Sequence, residues 1–159
     1  MGERHSLMDL ALAEAGAAGG RGEVPVGAVL VDGVTGSILA RAGNRVEALK
    51  DPTAHAEMIV IREAAAAAGL KRLEGADLYV TLEPCAMCAA AISFARMRRL
   101  YFGASDPKGG AVENGLRYFS SATCLHRPEI YGGIGESEAA ELMRSFFRAR
   151  RAPPHAGED

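Results

Sequence analysis

The chain has 159 residues, 48% of them hydrophobic, and a formal net charge of −2 at pH 7, which fits one domain and excludes a generally basic nucleic-acid binder. The uncharged run 84–95 is too short to span a membrane, and Asp9 and Glu14 interrupt the N-terminal apolar stretch, which argues against a signal peptide. Three cysteines, two of them close together, are typical of a reducing compartment, so we expect a cytoplasmic protein.

The first half of the chain predicts a helix, a β-hairpin and a second helix. Apolar residues recur at helical spacing up to Gly19-Gly20, at Leu7, Leu10, Ala11, Ala15 and Ala18. The apolar run 24–31 has the length of a strand, and the turn 32–36 lets residues 37–41 pair back on it as a hairpin. Residues 55–68 are rich in alanine and end at Gly69, which indicates a helix.

The second half predicts three more strands, at 77–81, 100–103 and 129–131. A buried apolar helix over 84–95 separates the first two, and a final helix begins near Glu136 with acids in its first turn and arginines in its last. Strands that alternate with helices predict an α/β sandwich whose sheet is mixed, because its first two strands form a hairpin. We expect residues 1–151 to form one domain and the tail 152–159 to be disordered.

Two short motifs contain the residues of a catalytic metal site. His55, Cys85 and Cys88 are metal-ligand side chains, and Glu57 follows the histidine by two positions. A structural zinc site uses four protein ligands, whereas three leave one position for a water whose pKa falls to about 7. Two alternatives stay open: a redox pair formed by the two cysteines, or a closed site completed by Cys124, which is otherwise predicted to be a buried free thiol.

The spacing of the motifs predicts that two helix starts converge on the metal. Cys85 and Cys88 are three residues apart, so they share one face of a helix that begins near Pro84. His55 and Glu57 are two residues apart and can reach one ion only if it lies off the tip of their helix. Thr53 is a candidate N-cap, which places that tip at His55 and Glu57 beside the open position.

The combined pattern, His-x-Glu followed by Pro-Cys-x-x-Cys, is the signature of the zinc-dependent nucleobase deaminases. From residue 6 to residue 151 the sequence resembles the bacterial tRNA-specific adenosine deaminases, in the cytidine and deoxycytidylate deaminase superfamily. The resemblance implies a five-stranded cytidine-deaminase-like fold, a three-layer α/β/α sandwich with one zinc ion per subunit, and a homodimer. It also implies hydrolytic deamination of the wobble adenosine to inosine in a tRNA anticodon stem-loop, with Glu57 as the acid–base residue and no membrane or DNA partner.

The resemblance extends to residues that contact the substrate. It implies that Asn44 holds the target nucleoside, that Asp106 touches the sugar beside the flipped base, and that Lys108 meets the RNA backbone. Gly109 stands where many members have threonine, and the arginines of the last helix would grip the anticodon stem. Two rival functions stay open: deamination of a free nucleobase or nucleoside such as guanine, cytosine or guanosine, and an inactive zinc module, although that class lacks the glutamate present here.

Overall fold

The predicted helices and strands are present in the predicted order, with one short helix added before the second long one. The computed structural model describes residues 2–151, except for the side chains of residues 3 and 4. The tail 152–159, which was predicted to be disordered, lies outside the described residues. The elements are α1 (Gly2–Gly20), β1 (Gly27–Asp32), β2 (Ile38–Gly43), α2 (Val46–Leu49), α3 (Ala56–Ala68), β3 (Ala76–Leu82), α4 (Ala86–Phe94), β4 (Arg99–Ala104), a 3₁₀ turn (Tyr118–Ser120), β5 (Glu129–Tyr131) and α5 (Glu136–Arg151).

The five strands form one mixed sheet in the order β2-β1-β3-β4-β5. The predicted hairpin is present, since β1 pairs antiparallel with both β2 and β3, whereas β3, β4 and β5 run parallel. The carboxyl ends of β3 and β4 therefore lie side by side, with Leu82 opposite Ala104. The segments that follow these two strands both begin at this edge, and they carry Cys85 and Asp106.

Helices cover both faces of the sheet. The side chains along a buried strand point alternately to the two faces, so each strand contributes to both cores. On β1, Ala28 and Leu30 join a core shared with α3 and α4, whereas Val29 and Val31 join a second core shared with α1 and α5. The predicted three-layer α/β/α sandwich with a five-stranded mixed sheet is confirmed. Among residues 2–151, no helix is both long and apolar enough to cross a membrane.

The structure differs from the predicted elements mainly at helix starts. The helix expected to begin near Pro84 begins at Ala86, and Pro84 lies outside any helix or strand, before the extended N-cap residue Cys85. A short helix, α2, occupies residues that carry no predicted element. These differences concern a few residues each, but both lie at the cavity described below, where they decide which side chains face inwards.

Candidate active site

Two helix starts meet at the carboxyl edge of the sheet, as the motif spacing predicts. His55 is the N-cap residue of α3 and Cys85 is the N-cap residue of α4, and both have extended backbones, with φ −72° and ψ 152° and with φ −72° and ψ 175°. An extended N-cap directs its side chain off the end of the helix rather than along its flank. Cys88, in the first turn of α4, completes the cluster.

The three predicted ligand atoms lie close together. His55 Nδ1 is 3.6 Å from Cys85 Sγ and 3.5 Å from Cys88 Sγ, and all three atoms lie within 4.8 Å of one another. Zinc–sulfur bonds of about 2.3 Å and zinc–nitrogen bonds of about 2.0–2.1 Å give a nitrogen–sulfur edge of about 3.6 Å in a tetrahedral site. One imidazole and two thiols at this spacing fit a zinc ion without rearrangement.

Cys124 does not join this cluster. Its thiol donates a hydrogen bond to the carbonyl oxygen of His126 at 3.2 Å and lies 3.7 Å from Ser93 Oγ, near the far end of α4. Within the described part of the chain, the metal-ligand group consists of one histidine and two cysteines. The alternative of a closed site with Cys124 as fourth ligand is therefore wrong for this arrangement.

The carboxyl of Glu57 lies beside the three ligand atoms. Glu57 is in the first turn of α3, its side chain is 3% exposed, and it makes a hydrogen bond with Cys88. Burial raises the pKa of Glu57, because the apolar surroundings disfavour the charged carboxylate, although His55 and local hydrogen bonds act against this. A carboxyl that binds a proton more readily than usual can both accept and return one near neutral pH.

Without a metal, the pKa values of the two cysteine thiols are shifted in opposite directions. The pKa of Cys85 falls to about 4, because the Cys88 thiol and His55 both hydrogen-bond its sulfur. The same contact with Cys85, together with burial, raises the pKa of Cys88. The pKa of His55 is raised by its hydrogen bond with Cys85. The Cys85 thiolate is thus stabilised without a metal, whereas a bound cation would stabilise the thiolates of both Cys85 and Cys88.

Thr53 was expected to cap α3, and this prediction is wrong. Thr53 Oγ1 donates instead to Asp51 Oδ1 at 2.7 Å, inside a local turn. The first backbone N–H of α3, that of Ala56, donates to Asn44 Oδ1 at 2.8 Å. Asn44, which is 7% exposed, therefore holds the start of the helix that carries His55 and Glu57.

A cavity of about 410 Å³ opens onto the ligand cluster. His55, Glu57 and Cys85 form its floor, and the other lining residues are Gly22, Glu23, Val24, Val26, Asn44, Val46, Glu47, Pro52, Leu82, Glu83, Asp106, Gly109 and Arg150. Two of the three predicted substrate contacts, Asn44 and Asp106, are thus brought to the cavity with the predicted metal and acid–base residues. Lys108 is exposed and lies outside the lining.

Two lining residues, Glu23 and Glu83, had no role in the sequence prediction, and a third, Arg150, belongs to the last helix, whose arginines were expected to contact the anticodon stem. Glu23 is 2% exposed and accepts the backbone N–H groups of Glu47 and Ala48, both at 2.9 Å, which holds α2 against the cavity. Glu83 is 2% exposed and accepts hydrogen bonds from the segment 105–114. Arg150 stacks over the Phe146 ring at 4.4 Å and donates to the carbonyl of Gly22 at 2.8 Å. Glu83 does carry one sequence signal: an acid between Leu82 and Pro84 in an apolar stretch.

Comparisons with known proteins match this geometry. The profile of the family described as cytidine and deoxycytidylate deaminase zinc-binding region matches residues 1–104. A tRNA-specific adenosine deaminase of Agrobacterium fabrum is 64% identical over 151 residues, which is 95% of this chain and 98% of that protein. A solved structure from studies of A-to-I editing by tRNA:A34 deaminases at the wobble position is also 64% identical, with a TM-score of 0.83 over 86% of this chain and 98% of that one.

More distant structures share the fold alone. A guanine deaminase from Nitrosomonas europaea is 20% identical, with a TM-score of 0.73 over 89% of this chain and 83% of that one. Identity at that level leaves the substrate undecided, whereas the first relatives match the chain over nearly its whole length. The chain therefore belongs to the cytidine and deoxycytidylate deaminase family and, within it, to the tRNA-specific adenosine deaminases.

Proposed function

We propose that this protein is a zinc-dependent hydrolase that deaminates the wobble adenosine of a tRNA anticodon to inosine. The observation that carries the proposal is a cluster of two thiols and one imidazole beside a buried carboxyl, which opens to one cavity through His55, Glu57 and Cys85. The chain that contains it is 64% identical to a tRNA-specific adenosine deaminase. Three ligands with an adjacent acid–base group are the arrangement of a catalytic zinc site rather than a structural one.

His55, Cys85 and Cys88 would hold one zinc ion per subunit. Thiolate and imidazole ligands in tetrahedral spacing favour zinc over magnesium or calcium, which prefer oxygen ligands. When bound, zinc supplies a Lewis acid that makes a water molecule more acidic at neutral pH. The positive dipole ends of α3 and α4 both point at the cluster, and they stabilise the thiolates.

Glu57 would transfer the protons in the reaction. It accepts a proton from the attacking water, whose oxygen forms a bond to C6 of adenine, and it passes that proton to ring N1. The remaining water proton then goes to the amino group, so that the C6–N bond breaks and ammonia leaves. One water enters and one ammonia departs, and inosine is the product. The raised pKa of Glu57 suits a group that must bind and release a proton in every cycle.

The substrate contacts would come from Asn44, Asp106 and Lys108. Asn44 uses its side-chain oxygen on Ala56, which leaves its NH₂ group as the hydrogen-bond donor for the nucleoside. Asp106 lines the cavity, and the exposed Lys108 lies two residues further along the same loop, where it can meet phosphate. The last turn of α5 adds basic residues, Arg148, Arg150 and Arg151. Unstacking the target base is cheapest in a loop such as the anticodon.

The rival substrate is a free nucleobase or nucleoside. The distant guanine deaminase shares only the fold with this chain, and Arg150 at the rim together with exposed Lys108 favours a substrate with phosphates outside the cavity. The decisive experiment incubates the zinc-loaded protein with an anticodon stem-loop that has adenosine at the wobble position, and with free adenosine, guanine and cytosine. Inosine in the RNA supports the proposal, whereas turnover of a free base alone would overturn it.

We also propose that residues 1–151 form one deaminase domain and that two copies form a homodimer. The support for a dimer is the apolar, partly uncovered face of α4, on which Phe94 is 70% exposed. Light scattering on purified protein tests this: a mass of two chains supports it, and a monomer at micromolar concentration contradicts it. We further propose a cytoplasmic location, which the proposed tRNA substrate and the three free cysteines, typical of a reducing compartment, support.

A further inference from the structure

Glu83 is a buried carboxylate that belongs neither to the metal ligands nor to the acid–base chemistry. It follows β3 directly, two residues before Cys85, and its side chain is 2% exposed. Burying a carboxylate costs free energy unless hydrogen bonds replace its lost water. The partners of Glu83 therefore show which part of the molecule it holds in place.

Among residues 2–151, the hydrogen-bond donors to the Glu83 carboxylate all belong to one segment, residues 105–114. Oε1 accepts from the Asn114 side-chain amide at 2.6 Å, from the Asp106 N–H at 3.0 Å and from the Ser105 hydroxyl at 3.4 Å. Oε2 accepts three successive backbone N–H groups, those of Val112, Glu113 and Asn114, at 3.1, 3.0 and 3.1 Å. Successive N–H groups that converge on one oxygen form an anion-binding nest.

The segment closes around this carboxylate so tightly that one position accepts only glycine. A Cβ on Gly110 would lie 2.5 Å from both Cδ and Oε2 of Glu83. The backbone adds a further contact, since the N–H of Ala111 donates to the carbonyl oxygen of Pro84 at 2.9 Å. The segment is thus folded over Glu83 and its neighbour rather than over the metal ligands.

The same segment carries one wall of the cavity. Asp106 and Gly109 line it, and the Asp106 side chain accepts the N–H groups of Lys108 and Gly109 at 3.2 and 3.0 Å, which sets the turn between them. The ligand atoms, in contrast, come from the starts of α3 and α4. Contacts to Glu83 therefore hold the cavity wall formed by residues 105–114, whereas the starts of α3 and α4 position the metal ligands.

We propose that Glu83 is a positioning residue, whose six hydrogen bonds preform the wall 105–114 so that Asp106 and Lys108 meet the RNA already in place. The inference rests on the proposed function and adds the residue that organises its substrate wall. A loop that folds only on binding loses conformational entropy, which weakens binding. A preformed wall avoids this loss.

The test is Glu83→Gln, which keeps the size of the side chain but presents N–H groups to a nest of N–H groups. We expect the KM for an anticodon stem-loop to rise roughly 10- to 100-fold while kcat changes less than about threefold, because substrate binding is lost and the chemistry is kept. Zinc content should equal that of the parent. The matched control is Glu113→Gln, which removes an equal charge from an exposed side chain in the same segment.

Asn114→Ala is the second variant, should Glu83→Gln fail to fold. It removes the shortest hydrogen bond to Glu83 and leaves all the backbone donors, so KM should rise in the same direction by a smaller factor. An unchanged KM in both variants would overturn the proposal, and so would a fall in kcat with loss of zinc, which would mean that Glu83 supports Cys85 instead. If the parent protein and Glu113→Gln form no inosine, the proposed function itself is wrong.

Discussion

Asn44 and Ala56 are joined by a hydrogen bond of 2.8 Å from the backbone N–H of Ala56 to Asn44 Oδ1, across twelve residues of sequence. The bond fastens the exit of β2 to the start of α3, where His55 and Glu57 lie. It satisfies one of the N–H groups that every helix start leaves without a partner inside the helix. Asn44 therefore supports the start of α3 with the oxygen of its amide, and the NH₂ group is the end proposed above to contact the substrate.

Two substitutions at Asn44 separate these contributions. Asn44→Asp keeps an acceptor for Ala56, so the free energy of unfolding should stay close to that of the parent, while deamination falls because the donor is lost. Asn44→Ala loses the acceptor too, and it should lower the unfolding free energy by about 1 kcal/mol. Denaturant unfolding and inosine formation measure the two effects. Full activity in Asn44→Asp would refute a donor role.

Glu57→Gln and Glu57→Ala should keep zinc and lose deamination. A positioned proton-transfer group contributes roughly 10²- to 10⁴-fold to the rate, and kcat should fall by that factor. Zinc content, measured by atomic emission, should remain at one ion per chain, because the ligands are on other residues. Activity within about tenfold of the parent in either variant would remove Glu57 from proton transfer.

Removal of the metal should inactivate the protein and destabilise it. A chelator leaves the Cys85 and Cys88 thiols and the His55 ring packed together without a cation, and metal binding contributes to the free energy of folding. We expect a lower melting temperature after chelation and recovery of both melting temperature and activity on adding zinc. Cys124→Ser should bind zinc as the parent does, because its thiol lies outside the cluster. Loss of zinc in that variant would contradict the three-ligand site.

Gly27→Ala should destabilise the fold strongly. Gly27 begins β1 beneath α1, and an added Cβ would overlap the carbonyl oxygen of Ala11 and lie 2.5 Å from the backbone nitrogen of Ala15. Overpacking typically costs about 1–3 kcal/mol, and here the obstacle is backbone, which cannot rotate away. Gly16→Ala is the control: nothing lies within 4 Å of its added Cβ, and alanine in a helix interior should stabilise by about 0.5–1 kcal/mol. Equal unfolding free energies for the two variants would contradict this packing.

Acid should weaken the β1–β2 hairpin through Asp32. The backbone N–H groups of Thr35 and Val34 donate to the Asp32 carboxylate and hold its pKa below the usual 3.8. A depressed folded-state pKa contributes stability above the unfolded-state value, and that contribution is lost as the pH falls through the folded-state value. Asp32→Asn should therefore be less stable than the parent at pH 7, and the difference should shrink as the pH falls below 3.8 and through the lower folded-state pKa. A constant difference across this range would exclude the carboxylate as its cause.

Local patterns in the sequence were sufficient for the five strands, for the four longer helices and for the metal motif, but not for the short helix α2. Helical spacing and charge predict α5 from Glu136, and the turn 32–36 predicts the first hairpin, because both depend on residues close in sequence. Cys85 and Cys88 are three residues apart, so the helix period predicts that their sulfurs lie together, and they do so with Cys85 at the extended N-cap rather than inside the helix. His55 could be joined to them because the motif is known, and the structure does bring the three atoms together.

Only the tertiary structure decided which polar groups hold the site in shape. Thr53 is the stronger cap candidate by local chemistry, yet Asn44 takes that place because β2 delivers it to the start of α3. Glu83 is one more acid in the sequence, and it becomes the anchor of residues 105–114 because β3 and β4 end side by side. A hydrogen bond between distant residues depends on the packing of whole elements, and a sequence shows the donors and acceptors without showing which of them will meet.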